Sequence, residues 1–392
     1  MFQLKLQEKN NCRDIPISFW VDSSGGPKEL CHQSFCGTNP KYYLYGSLNE
    51  INLHDCESGA ITFAHENCFD FLEEKIKEEK NNKGGIFIGY LSYELFQCNN
   101  KSCYPDFFFA YFDRTCDVIA RSTVTKPSAD VLRSSMTDAE YLAKVKLIKE
   151  EIKAGNVYQV NLTREYFIES DKPDELDLYL KLRSTSPNPY GCFFKTPFVS
   201  ILSSSPEEFL FIKDSYIRTR PIKGTLPRNV FDIDPKNQAE NIMIVDLERN
   251  DLGKICETGS IKAKKLLEIE SYKHLNHAVS TVEGKLKKDI SLKEIFQAIF
   301  PGGSITGAPK IAAMKIINKL EPVKRGAYTG TFGFIKTDGT MDFNILIRTI
   351  FVSGGKITFN VGGGIVADSD PHDELEEINL KAKGIMSALG LC

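Results

Sequence analysis

Apolar residues recur along the chain in two patterns, one typical of strands and one typical of helices. Short apolar and aromatic runs bounded by turn residues predict strands at residues 19–21, 42–45, 86–93 and 107–112. Apolar positions three and four residues apart predict helices that begin after Thr137, Asp234 and Asp370, whose side chains are all able to cap a helix. The pattern therefore predicts a mixed α/β chain of the α+β type.

The last part of the sequence predicts an antiparallel meander. Turn residues separate three apolar runs, at residues 328–336, 341–352 and 356–366. On the second predicted strand Asn344 and Arg348 share one face. The planar fork of an arginine inside a sheet suits carboxylate recognition, although an edge salt bridge explains it equally well. On the third strand Gly362, Gly363 and Gly364 allow a ligand carboxylate to approach backbone amides.

Composition narrows the classes of function. The 392 residues carry a formal net charge of −3, with 42% hydrophobic and 26% charged residues, as in a soluble globular protein with a large core. Near-neutral charge argues against a dedicated nucleic-acid binder, and no apolar run is long enough to span a membrane. The start of the chain lacks the pattern of a signal peptide and the eleven cysteines are scattered, so we expect a cytoplasmic protein with reduced cysteines.

A stretch with one proline and several serines, residues 122–136, predicts a linker. It separates a strand-rich N-terminal region, residues 1–121, from the rest of the chain, residues 136–392. We expect the two regions to pack as one compact unit.

One lysine stands at a predicted break in a strand. A predicted hairpin at residues 209–219 leads into Pro221, which removes a backbone donor, and Gly224 then permits a turn. Lys223, between them, would project from a fixed point. If its amine is partly desolvated, its pKa falls and it becomes a candidate nucleophile. An ordinary surface lysine after a hairpin is the alternative.

Polar and acidic residues on other predicted elements extend this candidate site. The predicted strand at residues 157–168 places Gln159 on an uncharged polar face opposite an apolar one, so that it could line a polar cavity or face solvent. Glu240 lies on the helix after Asp234, and Glu374 and Glu377 lie on the last helix. Carboxylates from two helices offer the hard oxygen ligands that Mg²⁺ takes, although acidic residues near a helix start also simply favour its dipole.

Several motifs in one order resemble the chorismate-utilising enzymes. They are Ser204-Ser205-Pro206-Glu207 and the stretches at residues 220–225, 239–241, 246–253, 277–282, 300–310, 330–348 and 362–371. Together they cover roughly residues 136–392, whereas the N-terminal part matches more weakly, chiefly at residues 88–94. Within the family the resemblance is strongest to aminodeoxychorismate synthase component I, the large subunit of para-aminobenzoate synthase.

This resemblance implies a fold and a reaction. The fold is a two-halved sandwich of large, mostly antiparallel sheets with outer helices and an active site in the cleft between the halves. The reaction is amination of chorismate to 4-amino-4-deoxychorismate in para-aminobenzoate and folate biosynthesis, with ammonia from a glutamine amidotransferase on a separate chain. Lys223 would attack the ring, the allylic hydroxyl would leave, and ammonia would then displace the lysine. Glu207 would serve as the general acid and later as the base.

The resemblance also implies the other site residues. Glu240 and Glu377 would hold Mg²⁺, with Glu374 behind them. Substrate contacts are implied for Thr225, His277, Tyr328, Arg348, Gly362, Gly363, Gly364 and Gln159.

Two positions separate the branches of the family, and two others depart from its pattern. Enzymes that form isochorismate or salicylate carry a lysine base where this chain has Gln159, and anthranilate synthases carry alanine where Lys223 stands. Asn237 replaces a usual acidic residue and Ile378 a usual threonine, and we expect these changes to weaken or retune metal binding rather than abolish it. Anthranilate synthase component I therefore remains an alternative, and a catalytically weak paralogue that regulates or scaffolds the amidotransferase remains a second.

Overall fold

Two large antiparallel sheets make up most of the structure. The computed structural model describes residues 17–27, 30, 34–97, 103–117, 131–170, 173–273 and 275–391. In those ranges the strands, numbered in chain order, divide into a ten-stranded sheet I and a twelve-stranded sheet II. This confirms the predicted sandwich of antiparallel sheets with helices outside them.

Sheet I has the strand order β18-β10-β22-β21-β12-β11-β1-β2-β8, with β9 paired to β10. Its strands are β1 Ser18–Asp22, β2 Phe35–Thr38, β8 Cys116–Asp117, β9 Arg133–Ser134, β10 Gln159–Glu169, β11 Tyr190–Lys195, β12 Ser200–Ser205, β18 Gly307–Ala308, β21 Thr349–Ser353 and β22 Lys356–Ile365.

Sheet II has the order β15-β17-β14-β13-β20-β19-β6-β7-β3-β4-β5, with β16 paired to β17. Its strands are β3 Tyr42–Gly46, β4 Ile51–Asp55, β5 Ile61–Ala64, β6 Ile86–Leu91, β7 Phe107–Phe112, β13 Glu208–Lys213, β14 Tyr216–Arg220, β15 Ile222–Pro227, β16 Lys262–Ser271, β17 Leu275–Lys285, β19 Thr331–Lys336 and β20 Met341–Ile345. The N-terminal strands thus extend both sheets. Of the predicted linker, residues 122–130 lie outside the described residues.

All the described α-helices except the one at Lys310–Leu320 begin at a side chain that caps them. The helices are α1 Cys68–Glu78, α2 Asp138–Lys153, α3 Glu175–Thr185, α4 Pro235–Ile255, α5 Leu292–Ile299, α6 Lys310–Leu320 and α7 Pro371–Ala388. Thr137 forms the predicted capping box at α2, and the Asp234 and Asp370 carboxylates accept backbone N–H groups at the starts of α4 and α7. In the described part of the chain, none of these helices has the length and apolar character needed to cross a membrane.

Two of the places where the chain passes from one sheet to the other are neighbours in space. Pro206 and Glu207 lead from β12 in sheet I to β13 in sheet II, and residues 346–348 lead from β20 back to β21. The crossings are bonded to each other, because the Ser204 amide donates to the Arg348 carbonyl (3.1 Å) and the Ile345 amide to the Glu207 carbonyl (3.1 Å). Glu207 and Arg348 therefore both lie where the two sheets meet.

The second crossing corrects one prediction. The single strand predicted at residues 341–352 is wrong, because Ile345 pairs with Thr331 in sheet II whereas Thr349 pairs with Ser203 in sheet I. Arg348 takes a left-handed backbone conformation at the crossing (φ 51°), so it does not share a strand face with Asn344. The Asn344 amide is instead bonded within the core, donating to the Tyr190 carbonyl at 2.9 Å.

Candidate active site

Lys223 projects from a bulge in an edge strand of sheet II. Strands β14 and β15 both pair with β17, and Pro221 separates them as predicted. Between Ile222 and Thr225 the register against β17 shifts by one residue, and Gly224 has φ 96°. The half-buried Lys223 side chain donates from Nζ to the Ser304 carbonyl at 3.0 Å. Burial lowers its pKa, against the opposing charges of Glu240 and Glu207.

Glu207 faces the same serine. Its side chain is buried, and the Ser304 hydroxyl donates to Oε1 at 2.6 Å. Burial raises the Glu207 pKa from 4.5 to about 7, while the Ser304 hydroxyl and the charge of Lys223 partly oppose the rise. Ser304 therefore joins the amine and the carboxyl group, one through its carbonyl and the other through its hydroxyl.

The glycine-rich stretch at residues 300–310 is one of the motifs shared with the family, but no role was predicted for Ser304. The signal was present, because a hydroxyl among glycines at the start of a helix suits a polar contact on tightly approaching backbone. Asn161 also reaches this residue and donates to the Ser304 carbonyl at 2.7 Å.

His277 and Arg348 are two further residues of the candidate site. His277 is 1% exposed, and its Nδ1 lies 3.2 Å from the Thr225 hydroxyl. Burial and the charge of Arg348 lower the His277 pKa to about 3, so the ring is neutral at physiological pH. Among the described residues, no carboxylate forms a salt bridge with the half-buried Arg348, whose pKa burial lowers. An unpaired guanidinium of this kind can receive a ligand carboxylate.

Gln159 and the three glycines lie on adjacent strands of sheet I. The Gln159 side chain is fully buried, and neither its amide oxygen nor its nitrogen has a hydrogen-bond partner in the described part of the structure. A Cβ at Gly364 would lie 2.3 Å from Gln159 Nε2, so any larger residue there would displace the Gln159 amide. β21 pairs with β22 only as far as Phe359, so among the described strands the three glycines have a neighbour only on their β10 side. The Gly362 carbonyl accepts from Lys381 Nζ at 3.0 Å.

The acidic residues lie on two helices. Glu374 and Glu377 on α7 flank one point of sheet I, with carboxylate oxygens 3.2 and 4.0 Å from the position of a Cβ at Gly363. Glu240 on α4 lies nearer to Lys223, and the charges of Glu240 and Glu377 both raise the lysine pKa. In the described ranges, no three His, Cys, Asp or Glu side chains form a preassembled metal site. Glu240 and Glu377 therefore supply carboxylates, of the donor type that Mg²⁺ prefers, whose charges both act on Lys223.

Lys381 already contacts one of these carboxylates. Its Nζ lies 2.6 Å from Glu377 Oε1 and also donates to the Gly362 carbonyl. Of the two departures from the family pattern, Ile378 is fully buried and presents only carbon to Gly363, and Asn237 lies beside Gly224 at the start of α4.

Tyr328 lies next to the second crossing. The following residue, Thr329, donates its amide to the Leu346 carbonyl at 2.9 Å, and the Tyr328 ring is buried. Burial raises the Tyr328 pKa, so its phenol stays neutral. The described contacts do not join it directly to Lys223 or Glu207.

Comparisons with known proteins identify the family of the chain. Residues 112–387 match the family model described as chorismate binding enzyme. Among curated relatives, an anthranilate synthase component I-like protein of Synechocystis sp. is 39% identical over 68% of this chain and 58% of its own length. Aminodeoxychorismate synthase of Streptomyces pristinaespiralis is 32% identical over 96% of this chain and 62% of its length. Aminodeoxychorismate synthase component 1 of Escherichia coli is 40% identical over 66% and 59%. The chain thus matches about three fifths of each relative.

Solved structures share the whole architecture. Anthranilate synthase component I from Streptococcus pneumoniae has a TM-score of 0.76 at 25% identity, covering 98% of this chain and 95% of its own. The menaquinone-specific isochorismate synthase from Escherichia coli has a TM-score of 0.70 at 18% identity, with 96% of each chain covered, which concerns the fold alone. By the family match and by these relatives, the chain belongs to the chorismate binding enzymes.

Proposed function

We propose that the protein aminates chorismate to 4-amino-4-deoxychorismate, with ammonia supplied by a glutamine amidotransferase on a separate chain. The product would feed para-aminobenzoate and folate biosynthesis. The observation that carries the proposal is the pairing of Lys223 and Glu207 through Ser304, at 3.0 and 2.6 Å. A lysine of lowered pKa beside a carboxyl group of raised pKa is the combination that nucleophilic attack with acid assistance requires. The names of several relatives, though not of all, support the same product.

The chemistry follows from the protonation states. The neutral Lys223 amine forms a C–N bond to the ring as the ring double bonds shift and the allylic hydroxyl departs. Glu207, protonated near neutral pH, gives that hydroxyl the proton with which it leaves as water. Ammonia then forms a bond to the hydroxyl-bearing carbon, the lysine leaves as an amine, and Glu207 takes up the released proton. One ammonia is consumed and one water is formed.

The remaining residues would bind and orient the substrate. The Arg348 fork, with no ion pair in the described part of the chain, would receive one carboxylate. Backbone amides on the side of Gly362, Gly363 and Gly364 that lacks a strand neighbour would receive another. His277 and Gln159, both buried, would line the ring pocket.

Divalent metal would bind to the carboxylates of α4 and α7. Glu240 and Glu377 would hold Mg²⁺, with Glu374 behind them, since Mg²⁺ in proteins is often held by one or two carboxylates with water and substrate. Bound Mg²⁺ would neutralise and orient the ring carboxylate of chorismate. Lys381, which now contacts Glu377, would have to share that carboxylate or move aside.

The test is mass spectrometry of the product made from chorismate, Mg²⁺ and ammonium. We expect aminodeoxychorismate from the wild-type protein and none from Lys223→Ala. Lys265→Ala removes an exposed lysine of sheet II and is the matched control. Undiminished product from Lys223→Ala would remove the lysine from the mechanism.

A second candidate is anthranilate synthesis, favoured by the anthranilate synthase that shares the fold across 98% of this chain. It would appear in the same assay as a fluorescent aromatic product with release of pyruvate. Turnover of either kind would exclude a role limited to scaffolding the amidotransferase.

A further inference from the structure

The buried face of α4 carries polar side chains that are bonded to other segments around the site. Asn241 accepts from the Ser280 hydroxyl at 2.5 Å, and the Ser280 amide donates to the Pro221 carbonyl next to the Lys223 bulge. One turn before its end, Asp251 forms an ion pair with Lys310 at 2.5 Å, at the end of the glycine-rich stretch. Between them lies Glu248, 5% exposed, for which the proposed reaction has no use.

Glu248 contacts the residue that precedes Ser304. Its Oε1 accepts from the Gly303 amide at 3.2 Å. The backbone approaches α4 closely there, because a Cβ at Gly303 would lie 2.7 Å from Leu247 Cδ2 and 3.1 Å from the same Glu248 oxygen. Glu248 Oε1 thus fixes the backbone at Gly303. The next residue is Ser304, whose hydroxyl and carbonyl contact Glu207 and Lys223.

Stability alone does not explain a carboxyl group at this position. Burial raises the Glu248 pKa to about 7; the negative charges of Asp251 and Glu207 add to the rise, and Lys310 and the Gly303 amide oppose it. A methionine of similar volume would avoid the cost of burying the charged form. The carboxyl group is therefore a candidate for a functional role.

We propose that Glu248 is a positioning residue, which anchors the Gly303 amide and thereby orients Ser304 between Lys223 and Glu207. The inference rests on the proposed function, in which Lys223 and Glu207 carry the reaction. It deepens that function by adding a residue that touches no substrate. Ser304 is the link, since its two oxygens are the ones bonded to the amine and the acid.

Three variants distinguish the effect of the length of the side chain at position 248 from the effect of its charge. Glu248→Gln keeps an oxygen acceptor at the same distance, Glu248→Asp keeps the charge but is one methylene shorter, and Glu248→Met keeps the size with neither. We expect kcat for chorismate consumption with ammonium to stay within about threefold in the glutamine variant. It should fall about 10- to 100-fold in the other two, the loss that a displacement on the order of 1 Å produces. KM should change by less than about threefold, since substrate contacts are intact.

Wild-type kcat in both the Asp and the Met variants would overturn the inference. So would a glutamine variant as slow as the Met variant, because charge rather than anchoring would then be decisive. If Glu248→Met melts early, the Gln and Asp variants decide alone. Lys223→Ala in the same assay separates the two proposals: its undiminished turnover would refute the proposed function, whereas its inactivity alongside three fully active Glu248 variants would refute only this inference.

Discussion

Replacing Glu207 with glutamine is expected to stabilise the fold and to remove activity. The wild-type carboxyl group is 3% exposed, and burial is the main cause of its raised pKa. Glutamine has nearly the same shape and can still accept the Ser304 hydroxyl, but it cannot ionise and cannot donate a carboxylic proton. One substitution thus removes both the acid and the free-energy cost of its burial.

The magnitude follows from the two pKa values. A rise from 4.5 to about 7 corresponds to about 3 kcal/mol, at about 1.36 kcal/mol per pKa unit. Because the folded-state pKa is the higher one, the folded protein keeps a proton that the unfolded chain releases between these values. Stability therefore falls as pH rises through that window, and the cost is complete above about pH 7. Glutamine escapes this cost, so the variant should gain about 2–3 kcal/mol more relative to wild type at pH 8 than at pH 5.

Urea unfolding at pH 5 and pH 8 measures the difference directly. Glu257→Gln, a substitution at a half-exposed glutamate, is the control. Steady-state turnover of chorismate by Glu207→Gln should fall by about 10²- to 10⁴-fold, the range for loss of general acid–base catalysis. A stability difference that is equal at the two pH values would refute the assigned cost of burial, and wild-type turnover would refute the role as acid.

Four further changes test other parts of the site. Lys223→Arg keeps the charge but cannot be deprotonated, so kcat should fall by about 10³-fold or more in steady-state assays. Arg348→Lys loses the planar fork, and KM for chorismate should rise about 10-fold or more. His277→Gln should stabilise the protein by about 2 kcal/mol at pH 5 in urea unfolding, because the unfolded chain binds a proton below about pH 6.5 that the folded ring takes up only near pH 3. Chelation should stop turnover and added Mg²⁺ should restore it, with Glu377→Gln requiring more metal than wild type.

Each of these has a contrary result. An active Lys223→Arg variant would exclude amine attack, and an unchanged KM in Arg348→Lys would leave the guanidinium without a substrate contact. Equal stabilities of His277→Gln and wild type at pH 5 would mean that the folded ring protonates normally. Full turnover after chelation would remove the metal from the mechanism.

Features determined by neighbouring residues were predictable from the sequence. The capping box at Thr137 and the Asp-Pro starts of α4 and α7 appear as expected, because each depends on side chains within one helical turn. The break at Pro221 is equally local. The uncharged polar face of β10 was predicted either to line a polar cavity or to face solvent. It is buried, and Gln159 on it is fully inaccessible to solvent.

Features that depend on the partner strand were not predictable. No glycine or proline interrupts the stretch from Met341 to Val352, so nothing in it shows that Ile345 and Thr349 pair in different sheets. The roles of Ser304 and Glu248 depend on contacts with residues far away in sequence, Lys223 and Gly303, which no spacing rule brings together. Sequence patterns specified the elements, whereas the meeting of the sheets specified the site.

The crossings explain why the candidate groups can be held rigidly without a long loop. At a crossing the backbone leaves the hydrogen bonds of one sheet before it joins those of the other. Here the amides of Ser204 and Ile345 donate instead to carbonyls of the opposite crossing. Glu207 and Arg348 are therefore fixed by main-chain bonds on residues that belong to neither sheet. Lys223 comes from sheet II and Gln159 from sheet I, so a substrate that touches both must lie between the sheets. Since each sheet contributes separate groups, a shift of one sheet against the other would misalign the amine and the pocket together. Substitutions at crossing residues other than Arg348, which would bind the substrate directly, should therefore affect kcat more than chorismate binding.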